Sequence, residues 1–344
     1  VGLQRPGRLE GWALQDPSGR TWEVPFAKGI RTWTVERASF DHALLNAAAE
    51  AGADIRTDVS FEGIEQLAAS GGTVRLRRRG SPGTSTQAFE RLVGADGLHS
   101  RVRAALDLDA VGRTRKAGVA LHIRGAEYSP TWGYLDRGSE RTVGLAPLDP
   151  DGDRWTLVVV TRGGARPPTD PAAAIQVAAR RLPRLASATP VSGALGCGPF
   201  DRPVSRPWRP GALLVGDAAG YFDPVTGQGI GRAIASARLA AEALLAGGEA
   251  RELAGYARRL RAARRGGVRV QRLIDGVLQR PALLDRILPA LDRTGALRDL
   301  VAVTGDHLPA AALVDPSRWL GWARRAMIPS STPLTPPPRN PCAP

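Results

Sequence analysis

A short apolar strand that runs into Gly216-Asp217, a glycine-rich turn and then an Ala-rich helix constrain this chain more than any other feature. The run is ALLVGDAAGYFDPVTGQGIGRAIASARLAA, Ala212 to Ala241. A strand such as Leu213 to Val215 ends at the carboxyl edge of a sheet, where the next loop can set a carboxylate against a ribose hydroxyl. Asp217 is the candidate. Gly227, Gly229 and Gly231 carry no Cβ, so the main chain can approach a flat ring or a diphosphate closely where the helix begins. The free amides of that first turn favour negative charge. The segment predicts a nucleotide-binding corner.

A second corner stands upstream in LVGADGLHSRVR, Leu92 to Arg103, where another apolar strand ends at Gly94-Ala95-Asp96-Gly97 and leads into a helix with Ser100 and Arg103. Further back, Arg37 precedes a helix whose Phe40, Ala43, Leu44 and Ala47 recur at helical spacing, and it is a candidate phosphate ligand. Read alone, Arg37 is a solvated charge and the Asp96 segment an ordinary strand-to-helix turn. Their weight comes from their order relative to Gly216.

In that order, and with Pro224 inside the last turn, the three motifs resemble the flavoprotein hydroxylases and geranylgeranyl reductases of the p-hydroxybenzoate hydroxylase-type FAD fold. The resemblance covers roughly residues 35–245. It implies an α/β fold in which a Rossmann-like FAD/NAD(P)-binding domain is interleaved with an antiparallel β-sheet substrate domain. It also implies FAD as cofactor, held by Arg37, Asp96, Gly216, Asp217, Pro224, Gly227, Gly229, Ile230 and Gly231, with NAD(P)H as reductant. Asp217 would take a ribitol or ribose hydroxyl, and the amides of Gly229, Ile230 and Gly231 would face the pyrimidine edge of the isoalloxazine. The family opens with a strand, a Gly-x-Gly-x-x-Gly turn and a helix that hold the ADP diphosphate. No such turn precedes Arg37, and Val1 to Arg20 is rich in Gly, Pro and Arg. A start site set too late, a fragment, or true loss of the unit would each account for this, truncation being the expectation. Without the unit the sheet has an unpaired edge and FAD affinity falls.

Composition bounds the remaining classes. With 47 Lys and Arg against 33 Asp and Glu the formal charge is +14, which admits nucleic acid, an anionic membrane or an acidic substrate as partners. Lys28 and Lys116 are the only lysines, and the Ala, Gly, Pro and Arg bias fits a GC-rich coding sequence. Aromatics make up 5% and interleave with no basic patch, so a nucleic-acid partner is not expected. Cys197 and Cys342 lie far apart, the four histidines cluster with no carboxylates, and neither a metal site nor a disulfide framework is expected. Neither a signal peptide nor a membrane span is expected, since no run of about 18 apolar residues occurs, and a reducing cytoplasm is the default location.

The chain divides into a first FAD-binding part, residues 35–110, a substrate sheet, 111–200, a second FAD-binding part, 201–250, a helical region, 251–328, and a Pro-rich tail, 329–344. Thr73 to Arg79 and Gln87 to Val93 flank Gly80-Ser81-Pro82-Gly83 and predict a β-hairpin. VALHIRG, TWGYLD, TVGLAPL and WTLVVV predict an antiparallel sheet between residues 118 and 161. By resemblance this sheet covers the flavin, and Trp132, Tyr134, Leu145 and Ala146 are pocket candidates; simple core packing is the competing reading. Arg258, Arg259, Arg261, Arg264 and Arg265 sit on a helix from Leu253 to Leu278 and read as a solvated face, with peripheral contact to an anionic membrane as the alternative.

The resemblance implies chemistry carried by the flavin, with no catalytic triad. The favoured reading is a monooxygenase that hydroxylates or epoxidises a small organic or lipid-like substrate with NAD(P)H and O2. A reductase of isolated isoprenoid double bonds is the alternative. A remnant that folds but holds no FAD is a third reading.

Overall fold

The computed structural model describes residues 5–28, 30, 32–110, 112, 116–138, 141–224, 227–305 and 307–327. The Pro-rich tail expected at 329–344 and the Val225-Thr226 pair of the turn lie outside them. In chain order, β1 (Gly7–Leu9), β2 (Gly11–Gln15), β3 (Thr21–Pro25) and β4 (Thr32–Thr34) precede α1 (Arg37–Glu50). Then come β5 (Val59–Ala68), β6 (Gly71–Arg78), β7 (Ser85–Phe89), β8 (Leu92–Gly94) and the short α2 (Arg101–Ala105). The central stretch holds β9 (Ala117–Arg124), β10 (Trp132–Arg137), β11 (Arg141–Pro147), β12 (Trp155–Thr161) and α3 (Pro171–Ala179). β13 (Thr189–Pro190), β14 (Leu195–Cys197), β15 (Trp208–Arg209) and β16 (Ala212–Leu214) return the chain to the first corner. The helices α4 (Gly229–Leu245), α5 (Ala250–Leu278), α6 (Pro281–Thr294), α7 (Ala296–Thr304) and α8 (Pro316–Met327) complete it.

An eight-stranded sheet dominates the middle of the molecule, with order β13-β9-β12-β11-β10-β2-β3 and β14 pairing β9 beside β13. The four strands expected between 118 and 161 form its centre, each antiparallel to its neighbour among them. β2 joins β10 in parallel and brings β3 with it, so residues before Arg37 complete the sheet. Strand alternation divides its residues between two faces. Tyr134, Leu145, Leu157 and Leu121 stand in one cross-strand row, and Leu135, Gly144, Val158 and Ala120 in the next. The first row packs with Trp155 and Val159 against Ala174, Ile175 and Ala178 of α3. The second shares its face with Val160, which packs on Leu98, Phe200 and Tyr221, and with Trp12 and Leu14, which meet α5, α6 and α7.

The two corners foreseen in the sequence are neighbours. β8 and β16 pair in parallel, with Leu214 opposite Gly94, and the Val215 amide donates to the Gly94 carbonyl at 2.9 Å. A Cβ on Gly94 would stand 2.6 Å from Leu214 and 2.8 Å from Val102, so only glycine lets α2 close against this strand. The hairpin around residues 80–83 is present, but its second strand ends at Phe89; Leu92 to Gly94 leaves it and joins the other sheet. β5, which lacks a clear alternating pattern, is the third strand of that meander.

Two further differences separate sequence and structure. α1 buries none of its residues, and Leu44 is 49% exposed, so the stripe from Phe40 to Ala47 meets no core. α5 does not begin a separate unit after residue 250. Its Leu253, Tyr256, Ala257 and Leu260 are fully buried with Leu213, Leu214 and Ala218, and the Tyr256 hydroxyl donates to the Leu214 carbonyl at 2.5 Å.

Candidate functional site: the Gly216–Gly231 corner

β16 delivers the chain into a tight turn, Gly216–Ala219, closed by Gly220. Gly216 has φ +57° and Gly220 φ +114°, conformations that side chains resist, which is why glycine brackets the turn. The buried Ser236 hydroxyl of α4 accepts the Gly216 amide at 2.8 Å and donates to Ala233 at 2.8 Å. Arg103 of α2, itself buried, donates to the carbonyls of Ala218 at 3.2 Å and Leu98 at 2.8 Å and pairs with Asp109 at 2.5 Å. Arg264 of α5 donates to Ala219 at 2.8 Å, Gly220 at 3.2 Å and Gly216 at 2.9 Å. The main chain of the turn is therefore held from behind by two guanidiniums and a hydroxyl.

Beyond the turn, Asp223 is buried against Lys116, whose ammonium sits 2.5 Å from its carboxylate and also contacts Asp275 of α5. The Gln271 amide donates to the Asp223 carbonyl at 3.4 Å. Arg137 of β10 borders this cluster; burial lowers its pKa to about 10, and its Nη1 finds no partner among the described residues. Pro224 follows, and α4 starts at Gly229. Added Cβ atoms at Gly227 and Gly229 would meet nothing within 4 Å, so this loop borders open space. The amides of the first turn of α4 have no intrahelical acceptor and carry the positive end of a 17-residue helix.

Asp217 is half-buried in this setting. Burial raises its pKa, opposed in order by Arg264, Arg37 and Arg232. Arg37 thus reaches Asp217 electrostatically from α1, although its own closest partner is the exposed Asp41 at 3.0 Å. Arg232, in the first turn of α4, donates to Gln271 at 3.1 Å and Gln228 at 2.5 Å. Burial also raises the pKa of Tyr221, with Asp217 and Asp223 adding to it.

Gly216, Asp217, Pro224, Gly227, Gly229, Ile230 and Gly231 therefore lie in one continuous corner, with Arg37 across from it. Asp96 stands at the adjacent corner, where its carboxylate accepts from the Val102 amide at 3.1 Å and from the hydroxyl of Ser100, the N-cap of α2, which itself accepts from the Arg103 amide at 2.9 Å. Three of the four pocket candidates lie on the sheet face away from this corner. Tyr134 and Leu145 point into the α3 core, Leu145 at 1% exposure, and Trp132 shares their parity with its ring over Gly11. The face turned to the corner carries Leu135, Gly144, Ala146 and Val158 instead, with Phe200 and Tyr221 beside Val158 and Val160.

The family pattern described as "FAD binding domain" matches residues 26–264, well over half of the chain. This chain belongs to the FAD-binding-domain family. It is also 30% identical over 241 residues to digeranylgeranylglycerophospholipid reductase 1 of Methanopyrus kandleri, covering 68% of this chain and 62% of that protein. The chain spans about three fifths of the length of the curated relatives it matches. Among solved structures, the halogenase PltM in complex with phloroglucinol and FAD superposes with a TM-score of 0.70 at 14% identity, over 96% of this chain and 71% of that one. OxyS, an anhydrotetracycline hydroxylase from Streptomyces rimosus, superposes with a TM-score of 0.66 at 22% identity, over 87% and 62%. The fold is that of the p-hydroxybenzoate hydroxylase-type flavoproteins.

As a member of this FAD-binding family, the chain can be tested residue by residue against its cofactor. The corner fits the flavin end: a carboxylate for a sugar-like hydroxyl, a helix N-terminus with free amides, and glycines with room before them. For the diphosphate end, Arg37 is the one candidate that the sequence offered. Among the described residues no three His, Cys, Asp or Glu side chains are grouped to hold a metal, and no helix is long and apolar enough to cross a membrane.

Proposed function

We propose that this protein is a flavin-dependent oxidoreductase that reduces isolated double bonds of an apolar, isoprenoid-like substrate, with NAD(P)H as the electron source. Bound FAD supplies the hydride chemistry at its isoalloxazine ring. The chain's own residues bind and orient. Asp217 would accept a hydrogen bond from a ribityl or ribose hydroxyl. The amides of Gly229, Ile230 and Gly231, with the dipole of α4 behind them, would stabilise negative charge on the pyrimidine edge without depending on any side chain's protonation. Leu135, Gly144, Ala146 and Val158 offer an apolar surface opposite the corner.

The observation that carries this reading is the joining of that corner to an apolar sheet face. The match at 30% identity to a reductase favours double-bond reduction over oxygen insertion, since the hydroxylase and halogenase likeness is one of fold. Monooxygenation is the second reading, favoured by the sheet segment TWGYLD, which lacks the aromatic signature ending in Phe-Pro that the reductases carry. Two measurements separate them. Supplied with FAD, NADPH and a geranylgeranyl lipid under nitrogen, the protein should saturate the lipid; NADPH-dependent oxygen uptake coupled to a hydroxylated product would overturn that in favour of the monooxygenase. A colourless protein that takes up no flavin would contradict both.

A further inference from the structure

The turn that holds Asp217 cannot support itself. Two of its five residues, Gly216 and Gly220, have positive φ; the Asp217 carbonyl accepts the Gly220 amide, and the other four carbonyls take donors from outside the turn. Arg264, from 44 to 48 residues further along the chain, supplies three of them: to Gly216 at 2.9 Å, Ala219 at 2.8 Å and Gly220 at 3.2 Å. Its Nε is buried without a partner among the described residues, so the side chain gives up one hydrogen bond to make the other three. α5 reaches the same corner a second time, two to three turns on, through Gln271 at the Asp223 carbonyl and through Asp275, which shares the Lys116 ammonium with Asp223.

We infer that Arg264 is a positioning residue for the flavin-binding turn: by gripping its carbonyls from α5 it fixes Asp217 in place to meet the cofactor. The inference rests on the flavin reading of this corner given above. A planar guanidinium suits the task, since it presents several donors in one fixed plane, and an ammonium cannot reproduce that geometry. The charged and titratable groups around Asp217 are Arg264 from α5, Arg37 from α1, Arg232 from α4, Cys197 from β14 and Tyr221 after the turn. Arg264 is the largest of the cationic influences on it.

Three arms test this on the full chain with Arg264→Met and Arg264→Lys. In hydrogen exchange without cofactor, the amides of residues 216–220 should exchange faster in both variants while the core of the eight-stranded sheet is unchanged; unchanged exchange at the turn overturns the inference. In FAD titrations followed by flavin fluorescence, affinity should fall on the order of 10- to 100-fold in both variants, as expected for loss of charged hydrogen bonds. Equal affinity for wild type and variants overturns it. The acid limb of FAD binding should move to higher pH in Arg264→Met and stay in place in Arg264→Lys, a split that a merely structural role would not produce; equal limbs in the two variants overturn it. If the wild type binds no flavin, the functional reading fails, and the inference built on it falls with it. The exchange arm still shows whether Arg264 holds the turn.

Discussion

Lys116 is the most exposed point of the account to experiment. Its ammonium is 5% exposed and holds two carboxylates, Asp223 at 4% and Asp275 at 9%, joining the flavin-side loop to α5 and to the entry of β9. Lys116→Met removes the cation and leaves two buried negative charges. Breaking a buried pair in this way costs about 3–5 kcal/mol. Arg137 Nη1, without a partner among the described residues beside the cluster, can turn toward one carboxylate, which places the expected loss near the lower end, at about 3 kcal/mol. Against a total stability of about 5–15 kcal/mol that is a large fraction, easily read as a lower urea midpoint. The triple variant Lys116→Met, Asp223→Asn, Asp275→Asn removes all three charges and should recover most of the loss. A single variant within about 0.5 kcal/mol of wild type, the range of an ordinary surface change, would refute the reasoning. So would a triple variant no more stable than the single one.

Four further outcomes follow from the same geometry. Gly229→Asp has room for its side chain, so melting should be unaffected, while bleaching of a flavin-loaded protein by reductant should be abolished; wild-type bleaching would remove the α4 amides from the site. Burial raises the Asp217 pKa, so its protonated form favours the fold: that contribution is whole below the usual aspartate range and is lost as pH rises through the raised value. Asp217→Asn should therefore melt above wild type at neutral pH, lose that advantage on acidification, and bind FAD weakly, as melting curves across pH and flavin titration would show. Leu145→Ala should cost about 2–5 kcal/mol in denaturant unfolding because it empties the α3 core. Gly144→Ala, whose added Cβ would meet only Leu135 and Val158 at 3.8 Å, should leave stability alone and change the KM for a lipid substrate.

The corner at Gly216 was legible because its chemistry is local: a strand must stop, two residues need positive φ, and a helix must start, all within one short stretch. The sheet between 118 and 161 was legible from its apolar runs. Which face each residue takes was not, since that depends on register between strands far apart: Tyr134 and Leu145 face α3, whereas Leu135 and Gly144 lie on the opposite face. Arg264 was hidden in a run of arginines that reads as one solvated face. Leu253, Ala257, Leu260, Arg264, Gln271, Asp275 and Leu278 recur at helical spacing along α5. Three polar residues on an otherwise apolar stripe were the available signal. Lys116 offered none, because its partners lie 107 and 159 residues away.

A crystal of this protein soaked with FAD puts the central claim to the most direct test. The isoalloxazine should lie at the start of α4 with its pyrimidine edge against the amides of Gly229 to Gly231, and a cofactor hydroxyl should reach Asp217. A flavin bound elsewhere, or a turn from Gly216 to Gly231 packed shut against it, would contradict the account.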